Sequence, residues 1–509
     1  MIITNNFIDK IINKIDLKCE RNKKKEYALI IGRSRFFNTL YLIFCGLSLN
    51  KQKNINIFHL KDKNLISSEK YFFDKCKIKE KKNDNQFINV LIILETLGNF
   101  FRAFFLILFE GKSNFVQKFR LKGIYLGDLI FDSYVRNDHR FIKPKFDKNF
   151  ILTLLRGIFK TLYFNYFFDK KKLKYLIVAS HTYANNTGIA VRIALKKKIK
   201  VVLSNQQELI SFSQEKIDKG KYYIGKKKLK QIKKIKLNNK KFFSFLQKRK
   251  KTNTNYHFTG GRDIFYAYGN KKKLSMKDFY KKINIDNKEK YKKVIVIAPH
   301  AFSDASRSTG RIFLFTDYYE QLVKTLEFVK KQNQDILWIV RPHPSGKRYG
   351  EEGIVENLIK KINVSNIRLC PKFINTDNLV DLTDGVITGR GKIALEYSVM
   401  GKFAILAGKC SYSDCGFLYA ADNKKKYFEY LRKAKTFKIL PKEKIILARK
   451  TLFYLENYSK TISNDELIPN FKDLKTNVVL KKLSENLKKN KKFKRSRYFL
   501  DMSDIIKKL

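Results

Sequence analysis

Acidic residues are scarce in this 509-residue chain: Asp and Glu total 46, whereas Lys and Arg total 108, which leaves a net charge of +62. Such a surplus predicts an anionic partner, either nucleic acid or an anionic membrane surface. Proline (7) and tryptophan (1) are also rare beside abundant Lys, Ile and Phe, a pattern typical of AT-rich codon usage, which would raise Lys without any selection for a partner. Hydrophobic residues make up 44% and aromatic residues 14%, which excludes a disordered polycation.

Cysteine is scarce as well. The six cysteines are scattered and include no CxxC pair, so neither a disulfide framework nor a structural zinc site is expected. The first twenty residues lack the basic segment and apolar core of a signal peptide, which predicts a cytoplasmic protein. At about 150 residues per domain, the length predicts roughly two to four domains.

No long apolar run is free of charge. The most apolar stretch, Asn89 to Gly111, is interrupted by Glu95 and Arg102, so a membrane-spanning helix is not predicted. Two interpretations remain. A buried helix pair is favoured because large apolar side chains are usually buried, and an interfacial helix is the alternative. Its apolar body would be Phe100, Phe101, Phe104, Phe105 and Phe109. The apolar run from Ile151 to Phe168 poses the same choice.

Short apolar runs alternate with helical periodicity over most of the chain, which predicts an α/β fold with parallel sheets covered on both faces. The predicted strands are YALIIG (27–32), INIFHL (55–60), YLIVAS (175–180), KVVLS (200–204), KKVIVIAPH (292–300), DILWIV (335–340), NIRLC (366–370), DGVIT (384–388) and KFAILAG (402–408).

The segment from Lys219 to Lys251 separates two such halves. It contains fifteen basic residues and no acidic residue, which predicts a solvated basic helix or linker. The expected domains are therefore 1–251, ending in this Lys-rich segment, and 252–470, followed by a basic helical tail over 471–509. Two Rossmann-like halves would face each other across a cleft at the carboxyl ends of their strands, where ligands bind in such folds.

A glycine-containing turn follows one predicted strand. Thr388, Gly389, Arg390 and Gly391 lead directly into a predicted helix, so backbone N–H groups and the Arg390 charge would form an anion site suited to a nucleotide phosphate. A tight strand-to-helix turn is the alternative. Glu396, one turn into the helix, could accept hydrogen bonds from ribose hydroxyls or complement the helix dipole.

Other strand ends carry polar side chains that could act in chemistry. Arg341 and His343 alternate with two prolines in RPHP, which predicts a rigid turn presenting a guanidinium and an imidazole to a phosphate. His300 and Asp304 are spaced to form an acid/base pair or to orient a sugar, and Ser303 and Arg307 belong to the same loop. In the amino half, the candidates to face an acceptor are Asp132, Tyr134, Arg136 and His181.

Several motifs are missing from the sequence. There is no DxD pair for a divalent metal on a nucleotide diphosphate and no His/Cys cluster for zinc, so no metal or other cofactor is expected. There is also no GxxxxGK[ST] loop, no GxSxG nucleophile elbow and no recognised nucleic-acid-binding motif. Nucleic acid is therefore not the expected partner.

The carboxyl half resembles the bacterial capsule polysaccharide biosynthesis family, a surface-carbohydrate group with a GT-B-like glycosyltransferase architecture related to Kdo transferases. The matching stretches are APHAFSDA (298–305), LFTDYYEQLVKTLEF (314–328), ILWIVRPHPSGKRYGEEG (336–353) and VITGRGKIALEYSVMGKFAILAGKCSYSDCGF (386–417), with GDLIFDSYVR and HTYANNTG in the amino half. The resemblance implies donor contacts from Arg341, His343, the Thr388–Gly391 turn, Glu396 and Tyr412.

The expected function is that of a glycosyltransferase moving a sugar from a nucleotide-sugar, with a CMP-linked donor such as CMP-Kdo favoured, to a surface polysaccharide or lipid-linked acceptor. Asp132, His300 and Asp304 are the candidates to take the acceptor's proton. The alternatives are a nucleotide-sugar epimerase of the same fold and a basic protein that binds polyanions or membrane surfaces. The basic surplus would favour a peripheral position on the inner face of the plasma membrane.

Overall fold

The computed structural model describes residues 8–9, 12, 19–20, 26–31, 36–60, 67–81, 90–138, 147–184, 187–205, 208–253, 274–285, 290–332, 334–344, 346–371, 374–457, 485 and 506–507. Most of the predicted basic tail over 471–509 lies outside these residues. The chain divides into two compact units. Unit 1 comprises Met1–Ser133, Phe146–Gln214 and Lys460–Leu509, and unit 2 comprises Tyr134–Lys145 and Glu215–Ser459.

Unit 1 is built on a six-stranded sheet in the order β3-β2-β1-β6-β7-β8. Its strands are β1 (Tyr27–Ile31), β2 (Asn56–Leu60), β3 (Lys79–Lys81), β6 (Leu173–Val178), β7 (Lys200–Asn205) and β8 (Glu208–Phe212). Neighbouring strands are parallel except β7 and β8, which are antiparallel. A short hairpin of β4 (Arg120–Leu121) and β5 (Ile124–Tyr125) stands apart from this sheet.

The helices of unit 1 follow the predicted alternation. They are α1 (Phe36–Lys53), α2 (Ser67–Lys75), α3 (Val90–Lys118), α4 (Gly127–Asp138, whose last turn clusters with unit 2), α5 (Lys148–Lys170), α6 (Gly188–Lys196) and α7 (Gln214–Lys219, most of which clusters with unit 2). Apolar side chains of α1 and α2 pack with alternate residues of β1 and β2 in one buried cluster, which includes Leu42, Phe73, Ile30 and Ile57.

The two apolar helices of unit 1 differ in burial. Helix α5 buries a broad set of side chains, including Leu154, Ile158 and Phe167, as expected for a core helix. Helix α3 packs against α5 but leaves most of its large apolar side chains exposed, so the expectation of a buried helix pair is wrong for this stretch. Gly111 interrupts α3 with a non-helical backbone (φ 82°, ψ 165°). By length and composition alone, α3 is the one helix of the described residues that could cross a bilayer.

Unit 2 repeats the same strand order in a fully parallel sheet, β11-β10-β9-β12-β13-β14. Its strands are β9 (Lys293–Ala298), β10 (Ile336–Val340), β11 (Ile367–Leu369), β12 (Gly385–Thr388), β13 (Phe403–Leu406) and β14 (Tyr419–Ala420). Numbered within each unit, both orders read 3-2-1-4-5-6, which is the Rossmann order. The predicted α/β class with two Rossmann-like sheets is confirmed.

The helices of unit 2 are α8 (Lys226–Lys233), α9 (Asn239–Asn253), α10 (Met276–Lys282), α11 (Tyr318–Lys331), α12 (Ile354–Ile362), α13 (Thr376–Leu382), α14 (Ile393–Val399), α15 (Lys424–Arg432) and α16 (Lys442–Asn457). The basic segment 219–251 forms α8 and α9, so of the two predicted alternatives, a basic helix or a linker, the helix is observed. Ile224, Ile232 and Phe242 are buried in the unit 2 core, and Arg449 of α16 lies over the ring of Phe242. The boundary between units therefore falls before this segment, because its apolar residues complete that core.

Candidate active site

The sheet of unit 2 has its switch point between β9 and β12, which are adjacent in space but separated in sequence by β10 and β11. Because all the strands are parallel, the loops after β9, β10 and β12 leave from the same edge of the sheet. These loops carry His300, then Arg341 and His343, and then Gly389 to Gly391. Three motifs that are distant in sequence are therefore gathered at one edge.

Two imidazoles from neighbouring strands are in contact at this edge. The ring of His300 stacks on that of His343, with centroids 5.2 Å apart, and on that of Tyr318, at 4.6 Å. Tyr318 is the first residue of α11 and is buried. The sequence reasoning missed this side chain as a site residue, although the stretch LFTDYYEQ that contains it was among the matching blocks.

Both imidazoles are held in the neutral state. Burial is the main cause that lowers the pKa of His343, to about 3, and the nearby His300 and Arg341 lower it further. Burial also lowers the pKa of His300, against the opposing effect of Asp304. Nδ1 of His300 is 3.9 Å from Oδ2 of Asp304. A neutral imidazole has one N–H donor and one acceptor, so this pair can donate to a phosphate or accept a proton.

The guanidinium of Arg390 lies beside these rings and is engaged with the backbone of the β9 loop. It donates to the carbonyl oxygen of Gly310 at 2.5 Å and to that of Ser306. Its central carbon lies 5.9 Å from the centroid of the Tyr318 ring. Arg390 thus ties the loop after β9 to the turn after β12 and places a full positive charge next to the histidine pair.

The glycine turn itself is packed tightly. A Cβ at Gly389 would lie 3.0 Å from the ring of Tyr318, so the backbone here runs directly against an aromatic face. The hydroxyl of Tyr412 donates to the carbonyl oxygen of Gly391 at 2.7 Å, and the Gly391 N–H donates to Oγ1 of Thr388 at 3.4 Å. Close packing therefore accounts for part of the glycine requirement, beside the predicted approach of a phosphate.

Helix α14 begins directly after this turn. It is seven residues long, and Glu396 on it is buried. Lys392 precedes the helix, and its Nζ lies 2.7 Å from Oε1 of Glu456, so its charge is neutralised within the protein. Of the two cations that the sequence places at this turn, Arg390 is therefore the one that faces the histidine pair.

Arg341 is buried and braces the edge of the sheet. Its backbone N–H donates to the carbonyl oxygen of Ile297 at 2.9 Å, and its Nη1 donates to the hydroxyl of Thr376 at 2.9 Å. Its positive charge still contributes to lowering the pKa of His343. The loop after β10 thus combines a fixed cation with a neutral imidazole two residues later.

Two buried side chains hold the backbone of the loop after β9: Arg307, which belongs to the loop, and Glu351, which lies outside it. Arg307 donates to the carbonyl oxygens of Arg311, Phe313, Phe315 and Thr316, which makes it a brace for the loop. Oε1 of Glu351 accepts the backbone N–H of Ser303 at 3.1 Å. Burial raises the pKa of Glu351 to about 7, so this carboxyl titrates near neutrality beside Asp304. The sequence reasoning missed Glu351, and its only signal was the EEG that follows the RPHP stretch.

Two candidates of the amino half, Asp132 and His181, lie in unit 1. Asp132 lies on α4 and His181 follows β6, and both are buried in unit 1. The loop bearing His181 is bound to α4, because the Ala184 N–H donates to Oγ of Ser133 at 2.6 Å. The ring of His181 lies 4.5 Å from that of Phe212 on β8. The helix that carries Asp132 and the loop that carries His181 are therefore in direct contact within unit 1.

The remaining residues of GDLIFDSYVR have clear structural surroundings. Asp128 forms a buried, bidentate ion pair with Arg192, in which Nη1 and Nη2 of Arg192 donate to Oδ1 and Oδ2 of Asp128 at 2.6 and 2.7 Å. A Cβ at Gly127 would lie 2.1 Å from the carbonyl oxygen of Phe115, so only glycine fits there. Tyr134 is buried, and Arg136 lies over the ring of Tyr349, with its guanidinium carbon 4.5 Å from the centroid. Arg136 thus packs against the turn that immediately precedes Glu351.

Among the residues that the structure describes, no group of three or more His, Cys, Asp or Glu side chains could hold a metal ion. The edge of the unit 2 sheet carries the guanidinium groups of Arg341 and Arg390, the carboxyl groups of Asp304 and Glu351, and the neutral imidazoles of His300 and His343. This arrangement can bind an anion through guanidinium and imidazole donors and can exchange a proton through a carboxyl group.

No family model and no curated protein matches the sequence. Among solved structures, the chain is similar to the beta Kdo 2,4 transferase KpsC of Thermosulfurimonas dismutans, with 10% identity and a TM-score of 0.29 over 55% of this chain and 79% of that one. It is also similar to the UDP-GlcNAc 2-epimerase of Neisseria meningitidis bound to UDP-GlcNAc, with 11% identity and a TM-score of 0.27 over 85% of this chain and 100% of that one. Anabaena Alr3699/HepE, in complex with UDP and glucose, has 8% identity and a TM-score of 0.26 over 92% of this chain and 100% of that one.

Proposed function

We propose that this chain is a glycosyltransferase of GT-B-like architecture that binds a nucleotide-sugar at the carboxyl edge of the unit 2 sheet. The observation that carries the proposal is the pair of stacked, neutral imidazoles, His300 and His343, placed beside Arg390 at the switch point. Ligands of Rossmann-like sheets bind at that edge. A cation with adjacent imidazole donors suits the phosphate of a nucleotide.

The proposed reaction is the transfer of a sugar from phosphate to a hydroxyl. The acceptor oxygen forms a bond to the anomeric carbon, the bond from that carbon to the phosphate oxygen breaks, and the phosphate leaves with the electron pair. His343 and Arg390 stabilise the charge on the departing phosphate. The acceptor's proton goes to a carboxylate or to the neutral imidazole of His300. In this scheme Asp304 and Glu351 are the carboxyl candidates of unit 2, and Asp132 is the candidate of unit 1.

The donor proposed is a CMP-linked sugar such as CMP-Kdo, and the acceptor a surface polysaccharide or lipid-linked glycan. Support for this choice comes from the RPHP stretch, which is similar to the His-Pro pair of CMP-sugar-dependent transferases. No metal enters the proposed reaction, in keeping with the lack of a DxD pair in the sequence. Arg341, Thr388, Glu396 and Tyr412 would shape the donor pocket around the histidine pair.

The test is nucleotide release by the purified full chain from CMP-Kdo, CMP-sialic acid and a panel of UDP-sugars, with and without glycan acceptors. Release from one donor, together with an affinity for the matching free nucleotide that falls about tenfold or more in His343→Ala, would support the proposal. The matched control is Lys392→Ala, since this neighbouring cation is already paired with Glu456. The proposal fails if no donor releases nucleotide and no nucleotide binds. Isomerisation of a UDP-sugar without acceptor would instead identify an epimerase.

A further inference from the structure

Helix α3 presents a wide apolar face to the surface of unit 1. Ten large side chains on it are exposed, with Leu108 and Phe109 at 62% and 78% exposure. Those ten are Val90, Leu91, Ile93, Leu94, Leu97, Phe101, Phe104, Phe105, Leu108 and Phe109. At about 100° per residue they fall within an arc of roughly 160°, and the stretch from Val90 to Phe109 is about 30 Å long. We call this surface the α3 apolar face.

The opposite side of the same helix is buried against the rest of unit 1. Ile92, Thr96, Ala103 and Ile107 are buried, and α3 packs against α5. Thr96 donates to the carbonyl oxygen of Ile92 at 2.7 Å, so its hydroxyl is satisfied within the helix. Because one side is held by unit 1, the helix offers only its outer half to a partner. Folded monomers rarely leave an apolar surface of this size to water, which points to an interaction site.

Helix α3 and the residues that follow it carry a surplus of positive charge. Between residues 90 and 122 there are five basic and two acidic residues. Both acidic side chains are paired with lysines, Glu95 with Lys122 at 2.5 Å and Glu110 with Lys118 at 3.8 Å. Arg102 is exposed at the border of the apolar arc. Helix α5, which packs against α3, also has exposed Ile151 and Leu152, followed by exposed Arg156.

We infer that the α3 apolar face is a docking surface for an anionic lipid bilayer, on which the helix lies in the plane of the interface. Exposed phenyl rings would enter the boundary of the acyl chains, and the flanking lysines and arginines would remain at the level of the headgroups. A second copy of the chain fits less well, because each copy carries a net charge of +62 and like charges repel. A spanning position fits less well, because α3 buries one side in the fold and packs against α5.

The experiment is co-sedimentation of the full chain with vesicles of phosphatidylglycerol and phosphatidylcholine, compared with vesicles of phosphatidylcholine alone. We expect binding to the anionic vesicles that weakens as salt is raised. The variant Phe105→Ser/Phe109→Ser should lower the partition coefficient by about tenfold for each ring removed, which corresponds to about 1.4 kcal/mol per ring. The matched control is Ile439→Ser/Ile446→Ser, which removes two exposed apolar side chains from unit 2, Ile439 being 74% exposed.

Each other outcome overturns the inference. Equal loss of binding in the control variant, or no binding to anionic vesicles, would refute a specific surface on α3. Dimers that dissociate in Phe105→Ser/Phe109→Ser would make a second copy the occupant. Resistance of the membrane-bound chain to alkaline carbonate extraction would indicate a spanning helix. The inference does not depend on the proposed function. A chain that binds vesicles but transfers no sugar would support the membrane-docking surface and refute the glycosyltransferase activity.

Discussion

The rings of His300 and His343 are stacked with centroids 5.2 Å apart and planes inclined by 23°, although the two residues follow different strands. Protonating either ring would place a positive charge against its neighbour and near Arg341, in a half-buried position. Burial is the main cause that lowers the pKa of His343 to about 3, and the neighbouring His300 and Arg341 lower this pKa further.

Acid should destabilise unit 2 through this pair. The folded chain keeps His343 neutral down to about pH 3, whereas an unfolded chain takes up the proton near its ordinary pKa of 6.5. Stability from this residue is thus fully present above pH 6.5 and is lost as the pH falls towards 3, at about 1.4 kcal/mol per pH unit. Urea unfolding followed by the fluorescence of Trp338, the only tryptophan and a buried residue of β10, should show a loss of about 2 kcal/mol from His343 by about pH 5.

His343→Asn removes this titration and should show a shallower dependence of stability on pH over the same range. The slope that remains in the variant includes His300, whose pKa is also lowered by burial, and Glu351, whose raised pKa acts in the opposite direction. Parallel curves for the two proteins would contradict a lowered pKa of His343.

Glu351 should act in the opposite direction. Burial raises its pKa from 4.5 to about 7, so the folded chain retains a proton that the unfolded chain releases above about pH 4.5. Stability from this residue is present at low pH and is lost as the pH rises through 7, by up to about 3 kcal/mol. Glu351→Gln should therefore be more stable than the natural chain at about pH 8, measured by Trp338 fluorescence, and equally stable near pH 4. The neighbouring Glu352→Gln is the control and should show no such gain.

The same substitution tests a role in proton transfer. If Glu351 takes the acceptor's proton, the rate of sugar transfer should rise through about pH 7 in the natural chain, and this rise should disappear in Glu351→Gln. A variant that keeps the rise while gaining stability would limit Glu351 to holding the backbone of Ser303.

The sequence predicted the sheets well because their strands are continuous apolar runs bounded by turns. YALIIG and KKVIVIAPH, for example, became the central strand β1 and its counterpart β9. The edge strands β3 and β14 have three and two residues, too few for a pattern to emerge. The exposure of α3 was missed because periodicity shows that a helix is apolar but does not show whether another element covers it.

The site was predicted in part, for a related reason. His300, His343 and the glycine turn follow recognisable strands, so the parallel order of the sheet gathers them. Tyr318 and Glu351 join them only through packing across the fold, since Glu351 is hydrogen-bonded to a residue 48 positions earlier. The hydrogen bond from Arg390 to the carbonyl oxygen of Gly310, 80 positions away, likewise cannot be predicted from a local sequence pattern.

Gly389 should not tolerate a methyl group. Its Cβ would lie 3.0 Å from two atoms of the Tyr318 ring, which is itself fixed between His300 and Phe313. Gly389→Ala should lower the unfolding free energy of unit 2 by about 1–3 kcal/mol, because an overpacked site must shift its neighbours. Gly346→Ala is the control, since its nearest contact would be an ordinary 3.8 Å. Equal Trp338 unfolding curves for the two variants would show that the turn is not held against Tyr318.

The ion pair of Asp128 and Arg192 should be one of the most sensitive points of unit 1. Both side chains are almost fully buried, and the pair makes two hydrogen bonds. Asp128→Ala leaves the Arg192 charge buried and uncompensated, so a loss of about 3–5 kcal/mol is expected. Thiol labelling of the buried Cys45 and Cys76 during urea unfolding reports on this unit.

The control for that pair is an exposed one of similar length. Lys324 and Glu327 are 2.8 Å apart with about half of each side chain exposed, so Glu327→Ala should cost less than about 1 kcal/mol when followed by Trp338 fluorescence. The double variant Asp128→Ala/Arg192→Met should recover part of the loss, because it removes the stranded charge as well as its partner. If the double variant is as unstable as the sum of the single variants, the two residues are not coupled, and Asp128 contributes instead through its hydrogen bond from the Leu129 N–H.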